Sequence, residues 1–209
     1  MAAWSAGSAA ALAGCGQTLR YHSHVTSSGT DTYFALPSTW RVFGPTRVIK
    51  SIAPRMSPVQ VRQVESSLWV MAFTASQSGP NPRFSLISNT LYGEVVARLL
   101  PASQSKAYNV STLRSQLLNT DPVAAADAGS PFVRVLSSQG LSRAGMQGTK
   151  FVVDITAPGG SVYTVAQEGL WDSKSGWVYL IGIGCTERCF TAHRAVITSI
   201  LHNWNVKEP

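Results

Sequence analysis

Alternating apolar residues between positions 148 and 183 constrain the fold of this sequence more than any other feature. The three alternating segments are 148–155, 162–168 and 177–183. Side chains with a two-residue period lie on one face of a β-strand. The intervening segments APGG at 157–160 and DSKSG at 172–176 are typical of tight turns. Three strands joined by two tight turns predict an antiparallel meander with one buried face.

A helix after this meander is predicted to cover the sheet. It runs from 187 to 203 and has apolar residues at steps of three and four. The residues of this stripe are Phe190, His193, Val196, Ile197, Ile200, Leu201 and Trp204. Upstream, Ser57, Pro58 and Gln60 have the spacing of a capping box, which predicts a short helix ending near Glu65. We therefore predict the α+β class, with a mostly antiparallel sheet and helices packed on it.

The other predicted elements are shorter. Strands are expected at 33–37, 38–42, 68–74, 83–88 and 132–136, and a helix at 111–119. Residues 89–100 fit both a strand and a helix, whereas the Ala-rich segment 123–131 is interpreted as a loop. Gly140, Gly145 and Gly148 are interpreted as part of a Ser- and Gly-rich bend. No linker divides the chain after Asp31, so residues 32–209 are predicted to form one globular domain.

Composition excludes several classes of protein. Of 209 residues, 44% are hydrophobic and 13% are charged, which excludes intrinsic disorder and a coiled coil. The longest apolar run beyond the N-terminus, Val178 to Cys185, is too short to span a membrane as a helix. The net charge is +7, but the basic residues are spread thinly, unlike those of a phosphate-binding surface. We expect no nucleic-acid partner, and a basic surface that tolerates anionic lipid headgroups.

The first fifteen residues, MAAWSAGSAAALAGC, contain no charged side chain and end in Leu12-Ala13-Gly14-Cys15. This string resembles the lipobox of bacterial lipoproteins, in which a signal peptidase cleaves before the cysteine and the thiol is acylated. The resemblance implies a residual signal peptide over 1–14 and a lipidated polar tether over 15–31. Acylated Cys15 would anchor the domain in the lipid bilayer of the cell membrane, on its extracytoplasmic face. The alternative is an Ala-rich N-terminus with an incidental cysteine, because a signal peptide normally opens with positive charge.

Histidine and cysteine pairs give two further predictions. His22 and His24 lie in the predicted tether, where two ligands are too few for a metal site, so solvated histidines are expected. A metal-dependent extrinsic subunit that uses these two residues is the alternative. Cys185 and Cys189 lack the ligands of a zinc site and the C-x-x-C spacing of a redox pair. Outside the cytoplasm they favour a structural disulfide, and we expect neither a metal nor a cofactor.

Several motifs between residues 31 and 206 match those of one fold group. They are F-x-L-P-x-x-W at 34–40, a G-x-x-x-x-x-x-V-x-x-x-x-x-x-G hairpin, WVYLI at 177–181, a cysteine before the last helix, and Trp204-Asn205-Val206. This pattern resembles the PsbP-like fold group, which includes the photosystem II extrinsic subunit, the Ran-binding Mog protein and LpqN-type lipoproteins of actinobacterial envelopes. The LpqN-type branch is closest in kind, since it also combines a lipobox with a cysteine before the last helix. The resemblance implies an α/β/α sandwich, and no catalytic residue set is shared by the group.

Two acidic residues are candidates for chemistry. Asp154 and Glu168 lie on adjacent predicted strands, and a glycosidase needs two carboxylates across a cleft. Both are predicted on the face opposite the apolar one, where a solvent-exposed surface explains them without catalysis. A Ser/His/Asp hydrolase is not indicated, because the sequence has no G-x-S-x-G nucleophile elbow.

The sequence therefore predicts a non-enzymatic, membrane-anchored lipoprotein of the bacterial cell envelope. Its domain would act as a binding or accessory module for a membrane protein complex or an envelope ligand. Trp171, in the hairpin end at 169–176, is the candidate aromatic residue for a contact surface. The alternative function is an envelope hydrolase that uses the carboxylate pair of Asp154 and Glu168.

Overall fold

The computed structural model describes residues 18–76 and 85–207, and these residues form ten strands and seven helices. The strands are β1 (Leu19–Val25), β2 (Asp31–Pro37), β3 (Arg41–Phe43), β4 (Leu68–Thr74), β5 (Tyr92–Leu99), β6 (Val133–Arg143), β7 (Met146–Thr156), β8 (Val162–Trp171), β9 (Trp177–Thr186) and β10 (Asn205–Lys207). The helices are α1 (Pro45–Ile52), α2 (Pro58–Glu65), α3 (Ala102–Ser105), α4 (Val110–Ser115), α5 (Pro122–Asp127), α6 (Glu187–Ala192) and α7 (Arg194–Asn203).

Two antiparallel sheets organise the described residues. The large sheet has seven strands in the order β3-β4-β5-β9-β8-β7-β6, and the small sheet has three in the order β1-β2-β10. The predicted meander is confirmed as β7, β8 and β9, and β6 extends it at the edge of the sheet. β5 pairs with β9 and so joins the first half of the chain to the meander.

Both faces of the large sheet are buried, whereas the sequence predicted one buried face. The front face, which carries Val152 and Asp154 of β7, packs against α6, α7 and the small sheet. The back face, which carries Phe151 and Val153, packs against α1, α2 and α4. β9 lies between the two layers and is buried along almost its whole length, which explains its unbroken apolar run. The result is the predicted α+β sandwich, with a layer on each face of the sheet.

Local sequence signals account for α2. The Ser57 hydroxyl accepts a hydrogen bond from the backbone N–H of Gln60, and the Gln60 side chain accepts one from the N–H of Ser57. Pro58 occupies the first helical position, where no backbone donor is needed. The predicted capping box is therefore confirmed, and the helix ends at Glu65 as expected.

Residues 19–25 correct the prediction of a polar tether. They form β1, which pairs antiparallel with β2 over seven positions, from Leu19 opposite Pro37 to Val25 opposite Asp31. The Ser and Thr content of residues 17–31 favoured a tether, and the alternation of Leu19, Tyr21 and Val25, which fits a strand, was missed. Residues 1–17, including the predicted signal peptide and Cys15, lie outside the described residues.

Other predicted bounds also change. Of the predicted strand 83–88, residues 83–84 lie outside the described residues and 85–88 are not a strand. The ambiguous segment 89–100 contains β5, and the predicted loop 123–131 contains most of α5. The Asp121 carboxylate caps α5 by accepting hydrogen bonds from the N–H groups of Val123 and Ala124. The bend predicted in the Gly-rich segment is the tight turn between β6 and β7, with positive φ angles at Ala144 and Gly145, and the strands extend to both sides of it.

The predicted last helix is divided in two at His193. This residue has φ −106° and ψ 10°, and its N–H and Nδ1 both lie within hydrogen-bond distance of the Cys189 carbonyl oxygen, at 3.1 and 2.9 Å. His193 is therefore the C-cap of α6 and the N-cap of α7. Within residues 18–76 and 85–207, no helix has the length and apolar character needed to cross a bilayer.

Candidate functional site

A trough lies on the front face, between β6–β8 and the two last helices. Its main cavity has a volume of about 450 Å³ and adjoins a second cavity of about 280 Å³. The two cavities share the lining residues Ser137, Val152, Thr198 and Leu201. The combined space is within the usual size range of small-molecule sites.

The middle of the trough is apolar. Its apolar lining residues are Leu136, Val152, Ala166, Phe190, Ile197 and Leu201. They come from alternating positions of the strands and from the faces of α6 and α7 that point to the sheet. The trough therefore offers a hydrophobic centre with polar groups at its ends.

Asp154 lies at one end of the trough and is 3% exposed, which corrects the prediction of a solvent-exposed carboxylate. Its Oδ1 accepts a hydrogen bond from Thr164 Oγ1 at 2.7 Å, and its Oδ2 accepts from Arg134 Nε at 3.1 Å and Nη2 at 2.5 Å. Arg134 and Thr164 are the cross-strand neighbours of Asp154 on β6 and β8. The buried charge is thus compensated by a charged and a neutral donor.

Glu168 lies at the other end and is half-buried. Burial raises the pKa of this carboxyl, while the nearby charges of Lys150, Arg143 and His202 act to lower the pKa. Glu168 is opposite Lys150, which precedes Asp154 by four residues on β7. Four residues of strand span about 13 Å.

The predicted carboxylate pair is therefore not formed. The two carboxyl groups of a glycosidase are about 5 to 9.5 Å apart. Lys150, the β7 residue opposite Glu168, is four residues from Asp154, so the two carboxylates lie at opposite ends of the trough. Each carboxylate has its own basic neighbours. The two are too far apart to act on the same bond of a substrate.

His22 and His24 are packed instead of solvated. The His22 ring stacks on Phe34 at 5.3 Å between ring centres, and the His24 ring stacks on Trp69 at 4.7 Å. Burial lowers the pKa of both imidazoles; Arg20 lowers the pKa of His22 further. In the part of the chain that the structure describes, no three His, Cys, Asp or Glu side chains form a metal-binding group. The two histidines hold β1 against the front-face core.

Cys185 and Cys189 form a disulfide, with a Cα–Cα distance of 5.9 Å. The bond connects the end of β9 to α6, and the next residue, Phe190, lines the trough. The predicted structural disulfide is confirmed. It fixes the wall of the trough that α6 provides.

Trp171 is half-buried on the back face of the sheet and packs against Tyr108, with 5.3 Å between ring centres. Its indole Nε1 is buried and has no hydrogen-bond partner among the described residues. The ring thus contributes to the back-face core, on the opposite side of the sheet from the trough. Its proposed role in a contact surface would involve only the exposed part of the ring.

Sequence reasoning missed four residues of the site: Arg134, Thr164, Arg194 and Lys150. One signal pointed to the first two, because Asp154 interrupts the apolar run of the predicted strand FVVDIT. A charge in such a strand requires partners from its neighbours. Arg194 had no such signal, since its place at the trough depends on the break at His193.

No protein-family model matches this sequence, and no curated protein is similar to it in sequence. Solved structures are similar in fold. Cyanobacterial PsbP (CyanoP) from Synechocystis sp. PCC 6803 has a TM-score of 0.51 and 11% identity, and the alignment covers 96% of this chain and 98% of that one. LpqN, described as involved in cell envelope biogenesis of Mycobacterium tuberculosis, has a TM-score of 0.48, 10% identity and coverage of 90% and 91%. The Ran-binding protein Mog1p of Saccharomyces cerevisiae has a TM-score of 0.43, 10% identity and coverage of 90% and 96%.

At these identities the likeness concerns architecture. The alignment with cyanobacterial PsbP spans almost the full length of both chains. The seven-stranded antiparallel sheet with a layer on each face agrees with the motifs found in the sequence. The chain therefore has the PsbP-like fold.

Proposed function

We propose that this protein is a non-enzymatic binding or accessory module of the bacterial cell envelope. An acylated Cys15 holds it on the extracytoplasmic face of the cell membrane. The lipobox Leu12-Ala13-Gly14-Cys15 supports the anchor, and the Cys185–Cys189 disulfide is consistent with an oxidising compartment. The module acts on a membrane protein complex or an envelope ligand.

The trough is the observation that carries the binding role. It is large enough for a small molecule and has an apolar centre, while the Asp154 carboxylate is already occupied by Thr164 and Arg134. A carboxylate with both oxygens engaged is a structural anchor for the trough wall. The separation of Asp154 from Glu168 argues against the alternative of a hydrolase that uses them as a pair.

The lining also indicates the class of ligand. Arg194 and Lys150 lie at opposite ends of the trough, and neither forms a salt bridge within the described residues. An elongated ligand with an apolar middle and an anionic group would contact the apolar centre and one of these cations.

The anchor is tested by metabolic labelling with an alkyne fatty acid in the native bacterium. Wild-type protein should incorporate the label and sediment with membranes, and Cys15→Ser should do neither. Mild-detergent purification of the two forms, followed by mass spectrometry, should identify membrane proteins that accompany only the wild type. An unlabelled wild-type chain among cytosolic proteins would contradict the anchor.

The trough is tested with cis-parinaric acid, a fluorescent anionic amphiphile. Its fluorescence should rise saturably with the wild type, and Arg194→Ala should weaken the affinity about fivefold by removing one charge-assisted contact. Leu201→Arg should abolish binding by filling the apolar centre. The matched control is Val59→Arg on α2, where the side chain is 66% exposed, and it should bind like the wild type. Equal affinity in all four proteins would exclude the trough.

A further inference from the structure

The outer face of β1 is exposed, and three of its four side chains are aliphatic or aromatic, the fourth being Ser23. Leu19, Tyr21 and Val25 alternate along the strand and are 38%, 72% and 60% exposed. His22, between them, points to the other face and stacks on the core residue Phe34. The apolar side chains of β1 therefore face outward, whereas those of an amphipathic strand normally face the core.

The neighbouring strands add aromatic and basic groups to the same face. The pairing places Tyr33 of β2 beside Ser23 of β1 and beside Asn205 of β10. Lys207 Nζ lies over the Tyr33 ring, 5.1 Å from its centre. Asp31, opposite both Val25 and Lys207, is the acidic residue at this edge. Aliphatic residues accompanied by tyrosine and lysine are typical of proteins at the boundary between lipid and water.

The proposed lipid anchor at Cys15 would bring the outer face of β1 close to the bilayer. Cys15 precedes Leu19 by four residues, and four fully extended residues span at most about 14 Å. A diacylglycerol group on Cys15 would lie in the hydrocarbon layer, beneath a headgroup layer of about 5 to 8 Å. A chain of this length keeps the start of β1 at the bilayer surface.

We infer that the outer face of β1 is a lipid-contacting surface that enters the headgroup region of the membrane. Leu19, Tyr21 and Val25 are the residues in contact with lipid, and Lys207 meets the anionic headgroups. This inference rests on the proposed acylation of Cys15. A second copy of the chain is the competing occupant of the face, but a second copy is not held there by a short covalent tether.

The test places a nitroxide at position 23 of the acylated protein in vesicles of phosphatidylcholine and phosphatidylglycerol. Ser23→Cys is on the outer face of β1, and the control Val59→Cys is on α2 at the opposite side of the sheet. The label at 23 should become more accessible to oxygen and about fivefold less accessible to a water-soluble nickel chelate than the label at 59. Equal accessibility of the two labels to the chelate would overturn the inference.

Mass spectrometry of the labelled protein separates failure of the anchor from failure of the inference. The chain has three cysteines, of which Cys185 and Cys189 are joined, so acylated Ser23→Cys carries one label. Two labels would reveal an unacylated Cys15 and contradict the proposed anchor itself. Concentration-dependent spin–spin coupling between labels at 23 would show a second copy on this face and would overturn the lipid contact.

A second measurement uses the unacylated chain. Cys15→Ser should bind vesicles of phosphatidylglycerol weakly, and the triple change Leu19→Ser, Tyr21→Ser, Val25→Ser should reduce this binding about tenfold. The control pair Ile52→Ser, Val59→Ser removes comparably exposed side chains from α1 and α2 and should leave binding unchanged. Equal losses in the two variants would contradict a specific role for β1.

Discussion

The hydrogen bond from Thr164 to the buried Asp154 carboxylate should contribute to the stability of the fold. Thr164 is itself buried and donates a hydrogen bond to Oδ1, so Thr164→Val should leave a buried carboxylate oxygen unsatisfied. We expect a loss of about 1 to 3 kcal/mol in the free energy of unfolding, measured in urea. Thr198→Val, at an exposed position of α7, is the matched control and should change stability little. Equal stabilities of the two variants would show that the hydrogen bond contributes nothing.

His22 and His24 should make the stability of the fold depend on pH. Their pKa values are lowered from 6.5 because the folded state buries the imidazoles, so folding favours the neutral rings. Their contribution is therefore fully present above about pH 6.5 and is lost as the pH falls through the folded-state pKa. The melting temperature of the wild type should fall more between about pH 7.5 and 5 than that of the double variant His22→Gln, His24→Gln. Parallel pH profiles of the wild type and the double variant would show that His22 and His24 do not cause the loss of stability at low pH.

At the scale of elements, two glycines of the β6–β7 hairpin make a matched pair. A Cβ on Gly148 would overlap the backbone oxygen of Gly169 and lie 2.9 Å from Leu170 Cδ2, whereas a Cβ on Gly140 meets nothing within 4 Å. We expect Gly148→Ala to destabilise the protein by about 1 to 3 kcal/mol through overpacking. Gly140→Ala should be neutral or slightly stabilising. Chemical denaturation of both variants measures the contrast, and similar values would contradict it.

The disulfide is a second feature at the scale of elements. It closes a short loop between β9 and α6, for which the chain-entropy relation gives a stabilisation of about 2 kcal/mol. The double variant Cys185→Ala, Cys189→Ala should lose this amount, and addition of a reductant should lower the melting temperature of the wild type only. A wild type insensitive to reductant, with no free thiol by mass tagging, would mean that the bond is inaccessible in the folded state.

Helices and strands with a clear pattern in their own residues could be predicted from the sequence. Those stabilised mainly by pairing or packing with distant residues could not. The capping box at Ser57 determines where α2 begins, and the alternating residues of β7 to β9 indicate their strands. β1 has only the short alternation of Leu19, Tyr21 and Val25, which face solvent instead of the core. Its pairing with β2 and the stacking of His22 on Phe34 stabilise it. The same reason explains the misplacement of His22 and His24 in a solvated tether.

The packing of the helices on the sheet explains why the site was predicted only in part. Asp154 was recognised as a candidate, but its burial follows from α6 and α7 covering the front face. The trough is lined by residues of β6, β7 and β8 and by residues of the last two helices. These lining residues are spread along the chain from Arg134 to Leu201. Alternation along each strand gives the face on which a side chain lies, but it does not give the layer that covers that face.

The charge of the molecule gives a prediction at this scale. With a net charge of +7, unacylated Cys15→Ser should bind anionic vesicles more weakly as salt rises from about 0.05 M to 0.3 M. Vesicles of phosphatidylcholine alone should show weak binding with little dependence on salt. Sedimentation of the protein with each kind of vesicle measures both. Salt-independent binding to the anionic vesicles would show that apolar contacts alone attach the protein.

The pairing of β1 with β2 has a mechanical consequence. Leu19 and Pro37 are opposite each other at the open end of this hairpin, and the chain turns at its far end between Thr26 and Thr30. A force applied to the chain before Leu19 would therefore load the hydrogen bonds of the pair one after another, from Leu19 inward. β1 would then separate before the seven-stranded sheet does. With the proposed anchor at Cys15, this separation would add seven residues of extended chain between the membrane and the rest of the domain.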